Sequence, residues 1–169
     1  ANMALNGLNL RKLAMPHLKR LMNKTHLTVH MTIQEHHEAV IIEKADSPYT
    51  PKVETWVGKR MGIHCTAAGK ALLSDLSEAD IDKLIRYGLP RYNDNTIVSP
   101  KKLKKELETV AKEGYALDDE EETIGSRCVG APIRDQTGKV VAAVSVAGYK
   151  QQIHHETFPS LVISVKETA

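Results

Sequence analysis

Apolar and polar positions alternate along this chain with two distinct periods, and the switches between them outline the fold. Leu8, Leu10, Leu13, Ala14, Leu18, Leu21 and Met22 recur at helical spacing, with Pro16 among them. Proline removes a backbone donor and clashes one turn back, so the pattern predicts a kink or two consecutive helices up to about Lys24. The period then drops to two. Leu27, Val29, Met31 and Ile33 are apolar while Thr28, His30 and Thr32 are polar, the pattern of a half-buried strand. Gln34 to His37 predicts a turn, and Ala39-Val40-Ile41-Ile42 a more deeply buried return strand. The prolines of Asp46 to Pro51 predict a loop leading into a short strand over Val53 to Val57.

Three helices follow by their end signals. Thr66 is placed to cap the first, which runs through Leu73; Ser77 opens the second, which stops at Gly88-Leu-Pro90. Ser99, Pro100 and Gly114 bound a third, with Leu103, Leu107 and Val110 inward. Strands are predicted near Tyr115–Leu117, Arg127–Ile133 and Lys139–Ala147, the last two joined by the turn Asp135-Gln-Thr-Gly138. A final helix starts near Thr157 and uses Phe158, Leu161, Val162 and Val165. Strands, then helices, then strands, then a helix describe an α+β domain with a mostly antiparallel sheet.

Composition narrows the function classes. With 169 residues, 41% hydrophobic and 26% charged, the chain has the makings of one folded domain rather than a disordered segment. A net charge of +2 and 4% aromatic residues argue against nucleic-acid binding by these residues. No apolar run approaches the roughly 18 residues that span a bilayer, so the expected location is the cytoplasm, with no membrane partner. Cys65 and Cys128 have no Cys-x-x-Cys spacing and are expected as free thiols.

The segment with the most chemistry runs from Asp118 to Gly148: an acidic loop, a strand, a tight turn and a second strand. Asp118, Cys128 and Ser145 stand where its apolar runs begin or break. A carboxylate, a thiol and a hydroxyl on one sheet suit a pocket for a small polar ligand better than a catalytic centre. The chain has no nucleophile elbow, phosphate loop or paired carboxylates at defined spacing. No enzyme activity and no cofactor are expected.

Gly58-Lys-Arg-Met-Gly-Ile-His-Cys-Thr-Ala-Ala-Gly-Lys-Ala-Leu-Leu73, Gly114-Tyr-Ala-Leu-Asp-Asp-Glu-Glu121 and Gly125-Ser-Arg-Cys-Val-Gly-Ala-Pro132 stand in order along the chain. Together they resemble the signature blocks of the IclR family of bacterial transcriptional regulators. The resemblance implies a GAF/profilin-like effector-binding domain, an antiparallel sheet flanked by helices, with a small-molecule pocket on one face; helix-opening amides at residues 67–69 make a small carboxylic or hydroxy acid the expected ligand. The resemblance also implies dimers or tetramers formed through this domain, and operator DNA contacted only through a winged helix-turn-helix that precedes it in the family and is not expected in these residues.

Carried over by the same resemblance, the ligand-binding positions are Thr50, Val53, Ala67, Ala68, Gly69, Asp118, Cys128 and Ser145. Gly62, Ala67 and Ala147 depart from residues common in the family. Backbone amides at Ala67, Ala68 and Gly69 would open a helix and favour an anion, with Ser145 assisting. A charged Asp118 would instead accept from a hydroxyl or amine at the ligand's other end, and only a protonated Asp118 could touch the anion.

Each position also has a plainer reading. The small residues at 67–69 would let a helix pack close to the sheet, Cys128 would be an inert core thiol, and Ser145 would bond to backbone. Asp119 to Glu122 read as a solvated acidic loop, and Lys101-Lys102-Leu-Lys104-Lys105 as a solvated helix face. The histidine pairs His36-His37 and His154-His155 fall in turns or loops. His64, Cys65, Cys128 and Asp118 form the alternative, a metal or redox site, against which His64 would simply bond to a backbone carbonyl.

Overall fold

The computed structural model describes residues 2–169, with side chains described from Asn9 onward; Leu8, expected on the first apolar stripe, lies outside the described side chains. The elements are α1 (Asn2–Thr25), β1 (Thr28–Glu35), β2 (Glu38–Ala45), β3 (Arg60–Gly62), α2 (Ala67–Leu73), α3 (Glu78–Arg86), α4 (Pro100–Glu113), β4 (Ala116–Asp119), β5 (Ser126–Arg134), β6 (Val140–Tyr149) and α5 (Phe158–Thr168). The strands form one antiparallel six-stranded sheet in the order β3-β2-β1-β6-β5-β4. The α+β class follows directly, with helices on both faces.

Side chains alternate across a strand, so every central strand supplies both faces. Val29 and Met31 of β1, Val129 and Ala131 of β5, and Val144 and Val146 of β6 pack with Leu18 and Leu21 of α1 and Leu161 and Val165 of α5. On the other face Ala116 and Ala143 meet Ala68, Ala71, Leu72 and Leu73 of α2, Ile81 of α3, and Leu103, Leu107 and Val110 of α4. Register fixes what lies between those apolar residues. Thr28, Ala147, Cys128 and Asp118 form one row across β1, β6, β5 and β4; His30, Ser145, Gly130 and Ala116 form the next.

Gly130 has a specific reason. A Cβ there would lie 2.9 Å from the carbonyl carbon of Ala67, because the first turn of α2 rests directly on β5. Thr66 caps that turn, its hydroxyl accepting from Gly69 N at 3.1 Å. Ser77 and Ser99 cap α3 and α4 in the same way, and α4 closes on Gly114 at φ +78°.

Four expectations are corrected. First, of the two alternatives at Pro16, two consecutive helices are excluded, because α1 runs through it as one helix. The carbonyl that loses its donor belongs to Lys12, on the exposed side, where water can satisfy it. Leu13, placed on the apolar stripe by its spacing, is 70% exposed. Second, Val53–Val57 is not a strand. Thr55 N donates to Val53 O at 2.8 Å, a turn that breaks extension, and Lys44 Nζ caps the carbonyls of Val53 and Thr55. The sheet edge forms instead at Arg60–Gly62.

Third, β1 is not half-buried. Thr28, His30 and Thr32 are all buried, since β1 is central and α2 lies over its polar face. Fourth, the acidic loop is not merely solvated: Glu121 is only 7% exposed. Among the described residues, no helix is long and apolar enough to cross a membrane.

Candidate functional site

A cavity of about 240 Å³ opens where the two polar rows of the sheet meet the start of α2 and the loops on either side. Val53, Ala67, Ala68, Asp118, Cys128 and Ser145 all line it. Two of the sequence-derived positions do not. Thr50 turns its hydroxyl to the carbonyl of His26 at 3.2 Å, and Gly69 lies behind the wall, its amide taken by Thr66. The lining also includes His30, Thr55, Lys59, Glu122, Thr123 and Ser126, none of which was singled out from sequence as a ligand position.

The cavity floor is built from buried polar groups. Ser145 and Asp118 are each 4% exposed. Asp118 Oδ1 accepts from Glu121 N at 2.8 Å. Burial pushes its carboxyl up to about 7, against the pull of that backbone donor and with the charge of Glu121 adding to the rise. At neutral pH Asp118 is therefore divided between acid and carboxylate. His30 is the opposite case. Burial, then Lys44, lowers it to about 3, so the ring is neutral; its Nε2 lies 2.7 Å from Thr55 Oγ1.

Among the described residues that line the cavity, Ala67 and Ala68 have amides ahead of the first hydrogen bonds of α2, and the Ser145 hydroxyl has no acceptor within the protein. Cys128 is not a nucleophile here. Burial, followed by the neighbouring Asp118, pushes its thiol well above the ordinary value. Burial also raises Cys65 and lowers His64.

Behind the floor sits a residue with no signal in the strand and helix periodicity. Lys70 of α2 is completely buried. Its ammonium meets both carboxylate oxygens of Glu121 (3.0 and 2.9 Å), Glu106 of α4 (3.0 Å) and the carbonyl of Leu117 (2.5 Å). Burial alone would lower the lysine's pKa; Glu121 and Glu106 outweigh it and hold the ammonium charged. Glu121 Oε2 also accepts from Asp119 N at 3.2 Å, so one cation ties the end of β4, which carries Asp118, to the loop that carries Glu122. The loop is held from outside by Asn93 and Thr96, which donate to the carbonyls of Glu120 (2.9 Å) and Glu121 (2.6 Å).

The metal or redox alternative is not assembled. His64 Nε2 faces the carbonyl of Pro90 at 3.0 Å, and Cys65 Sγ points to Gly62 O. Neither lines the cavity that holds Cys128 and Asp118. Among the described residues no group of three or more His, Cys, Asp or Glu is placed to hold a metal ion.

The family model for the bacterial transcriptional regulator IclR C-terminal region matches residues 2–169. The chain belongs to the IclR family. It is 38% identical over 147 residues to the transcriptional repressor IclR of Escherichia coli K12, covering 85% of this chain and 54% of that protein. This IclR-type domain thus spans about half the length of the curated relatives it matches. The crystal structure of Thermotoga maritima IclR superposes with a TM-score of 0.90 at 34% identity, over 95% of this chain and 66% of that one. A double mutant of the Acinetobacter PobR inducer-binding domain, in complex with 3-hydroxybenzoic acid, superposes with a TM-score of 0.86 at 26% identity, over 94% of each chain. The family is one of regulators and not of enzymes, in keeping with a cavity whose thiol and imidazole are both held neutral. The domain is its effector-binding, regulatory part.

Proposed function

We propose that this IclR-family domain senses a small organic acid in the cavity beside α2. Its occupancy would favour one dimeric or tetrameric arrangement of subunits, and so change how DNA-binding domains of the full-length regulator are presented to an operator. The observation that carries this reading is that residues with unpartnered donors, the amides of Ala67 and Ala68 and the hydroxyl of Ser145, line one cavity. A ligand carboxylate satisfies all three. Asp118 in its acid form adds a fourth donor, since its carboxyl titrates at about 7 rather than in the usual carboxylate range. The PobR neighbour, whose inducer-binding domain carries an aromatic acid, supports an acid as the ligand class.

Thermal unfolding of the domain against small carboxylic, hydroxy, sugar and aromatic acids tests the reading. An acid at about 100 times its dissociation constant adds about 2.7 kcal/mol, a rise of roughly 5–10 °C for a domain of this size. Ser145→Ala abolishes that rise. Asp118→Asn, which fixes a donor where the acid form would place one, retains it. A rise unaffected by Ser145→Ala would place the acid elsewhere and overturn the reading. Size-exclusion chromatography with light scattering, run with and without the acid, tests the change in subunit arrangement.

A further inference from the structure

The four acids from the end of β4 into the loop after it, Asp119 to Glu122, are not used alike. Asp119 Oδ1 accepts from Arg127 Nε at 2.6 Å, Glu120 Oε1 from Gly125 N at 2.7 Å, and Glu121 from Lys70. Glu122 has no such partner. Among the described residues only Thr32 Oγ1 and Glu122 Oε2 are fully enclosed polar side-chain atoms without a hydrogen bond, and of the two residues only Glu122 lines the cavity. The cation that also lines the cavity, Lys59, is otherwise engaged: its Nζ donates to Glu54 O at 2.9 Å and lies 5.0 Å from the centre of the Trp56 ring. A buried acceptor left unsatisfied is costly, and because Glu122 lines the cavity a turn of its carboxyl would bring that oxygen to a ligand donor.

Glu122 and the donor set stand on different walls. Ser145 is on β6 and α2 rests on β5, whereas Glu122 comes from the loop beyond edge strand β4. We infer that the ligand of this cavity is a hydroxy acid, its carboxylate on the Ala67 and Ala68 amides and Ser145, and a distal hydroxyl on Glu122. Glu122 is then the residue that separates such a ligand from a plain carboxylic acid. This rests on the organic-acid reading above. A hydroxyl suits the position because it both donates and accepts, and so meets Glu122 whether ionised or protonated; burial raises that carboxyl, with Lys59 opposing. A methyl or ketone in the same place offers no donor and leaves the oxygen unpaired.

The test is calorimetric titration of the domain with the unbranched C3 to C6 monocarboxylates, each paired with its ω-hydroxy counterpart, so that the chain-length series finds the span between the walls. At the best-fitting length the hydroxy acid binds about tenfold to a hundredfold tighter than its plain partner. Glu122→Met brings the pair within about twofold, and Glu122→Gln, which keeps the shape and one acceptor, retains a smaller preference. Ser145→Ala weakens both members together. Equal binding of the two in the wild type, or a preference that survives Glu122→Met, overturns the role of Glu122 while sensitivity to Ser145→Ala leaves the organic-acid reading standing. If no acid binds at any length, both fall.

Discussion

The two faces of the central sheet are made by the same strands, one residue out of step, and they do different work. Toward α1 and α5 the strands present Val29, Met31, Val129, Val144 and Val146, all fully buried against apolar partners. Toward α2 they present Thr28, His30, Cys128, Ser145 and Asp118, small or polar groups only partly covered by a seven-residue helix. The first face contributes stability in proportion to the apolar area it removes from water. The second leaves polar groups underpaired around a cavity, which weakens the fold locally and gives a ligand something to complete. What secures this second face is not its floor but the Lys70 ion pairs beside it.

The comparison is most exposed to failure at Lys70. Lys70→Met leaves Glu121 buried without its cation, and urea denaturation is expected to show a loss of about 3–5 kcal/mol. Adding Glu121→Gln removes the stranded charge and recovers a substantial part. A loss under about 1 kcal/mol in the single variant would mean that the ion pairs do not anchor this face. Next in size, Met31→Ala on the apolar face costs about 2–5 kcal/mol by opening a void in a close-packed cluster, and leaves acid binding intact.

Asp118→Asn acts in the other direction. The carboxyl is raised from 3.8 to about 7 in the folded domain, so the folded state binds more protons than the unfolded one between those values. Stability contributed by the protonated form is full below about pH 4 and lost as pH rises through about 7. The Asn variant escapes that fall and is more stable than wild type at pH 8, by at most about 4 kcal/mol. Unfolding curves at pH 5 and pH 8 measure the difference, and equal slopes in the two proteins would remove Asp118 as its source. Acid affinity in the wild type is expected to weaken by up to about tenfold per pH unit above 7, and in Asp118→Asn to stay flat. Smallest for the fold is Ser145→Ala, with a stability change within about 1 kcal/mol and loss of acid binding. Should it destabilise by several kcal/mol, the polar face would be structural after all.

The periods and end signals in the sequence determined most of the elements. Thr66, Ser77 and Ser99 capped the helices they were placed to cap, because a cap is a local bond between a side chain and an amide two or three residues away. Strand alternation divided Thr28, His30 and Thr32 from Leu27, Val29 and Met31 for the same local reason. Asp118, Cys128 and Ser145 were legible as breaks in apolar runs, and the family signature supplied the small residues at 67 and 68.

Strand order was not legible in this way. Placing β1 beside β6 turns the polar side of an apparently half-exposed strand into the floor of a cavity, and so brings in His30. Only the three-dimensional arrangement tells Glu121 from Glu122. In the sequence they are adjacent acids in a run; in the fold one meets Lys70, 51 residues away, and the other keeps a buried oxygen with no hydrogen bond among the described residues. Local spacing decides which way a side chain points. Which groups it meets is set by contacts between distant segments, and the charge, burial and binding chemistry of this domain depend on those.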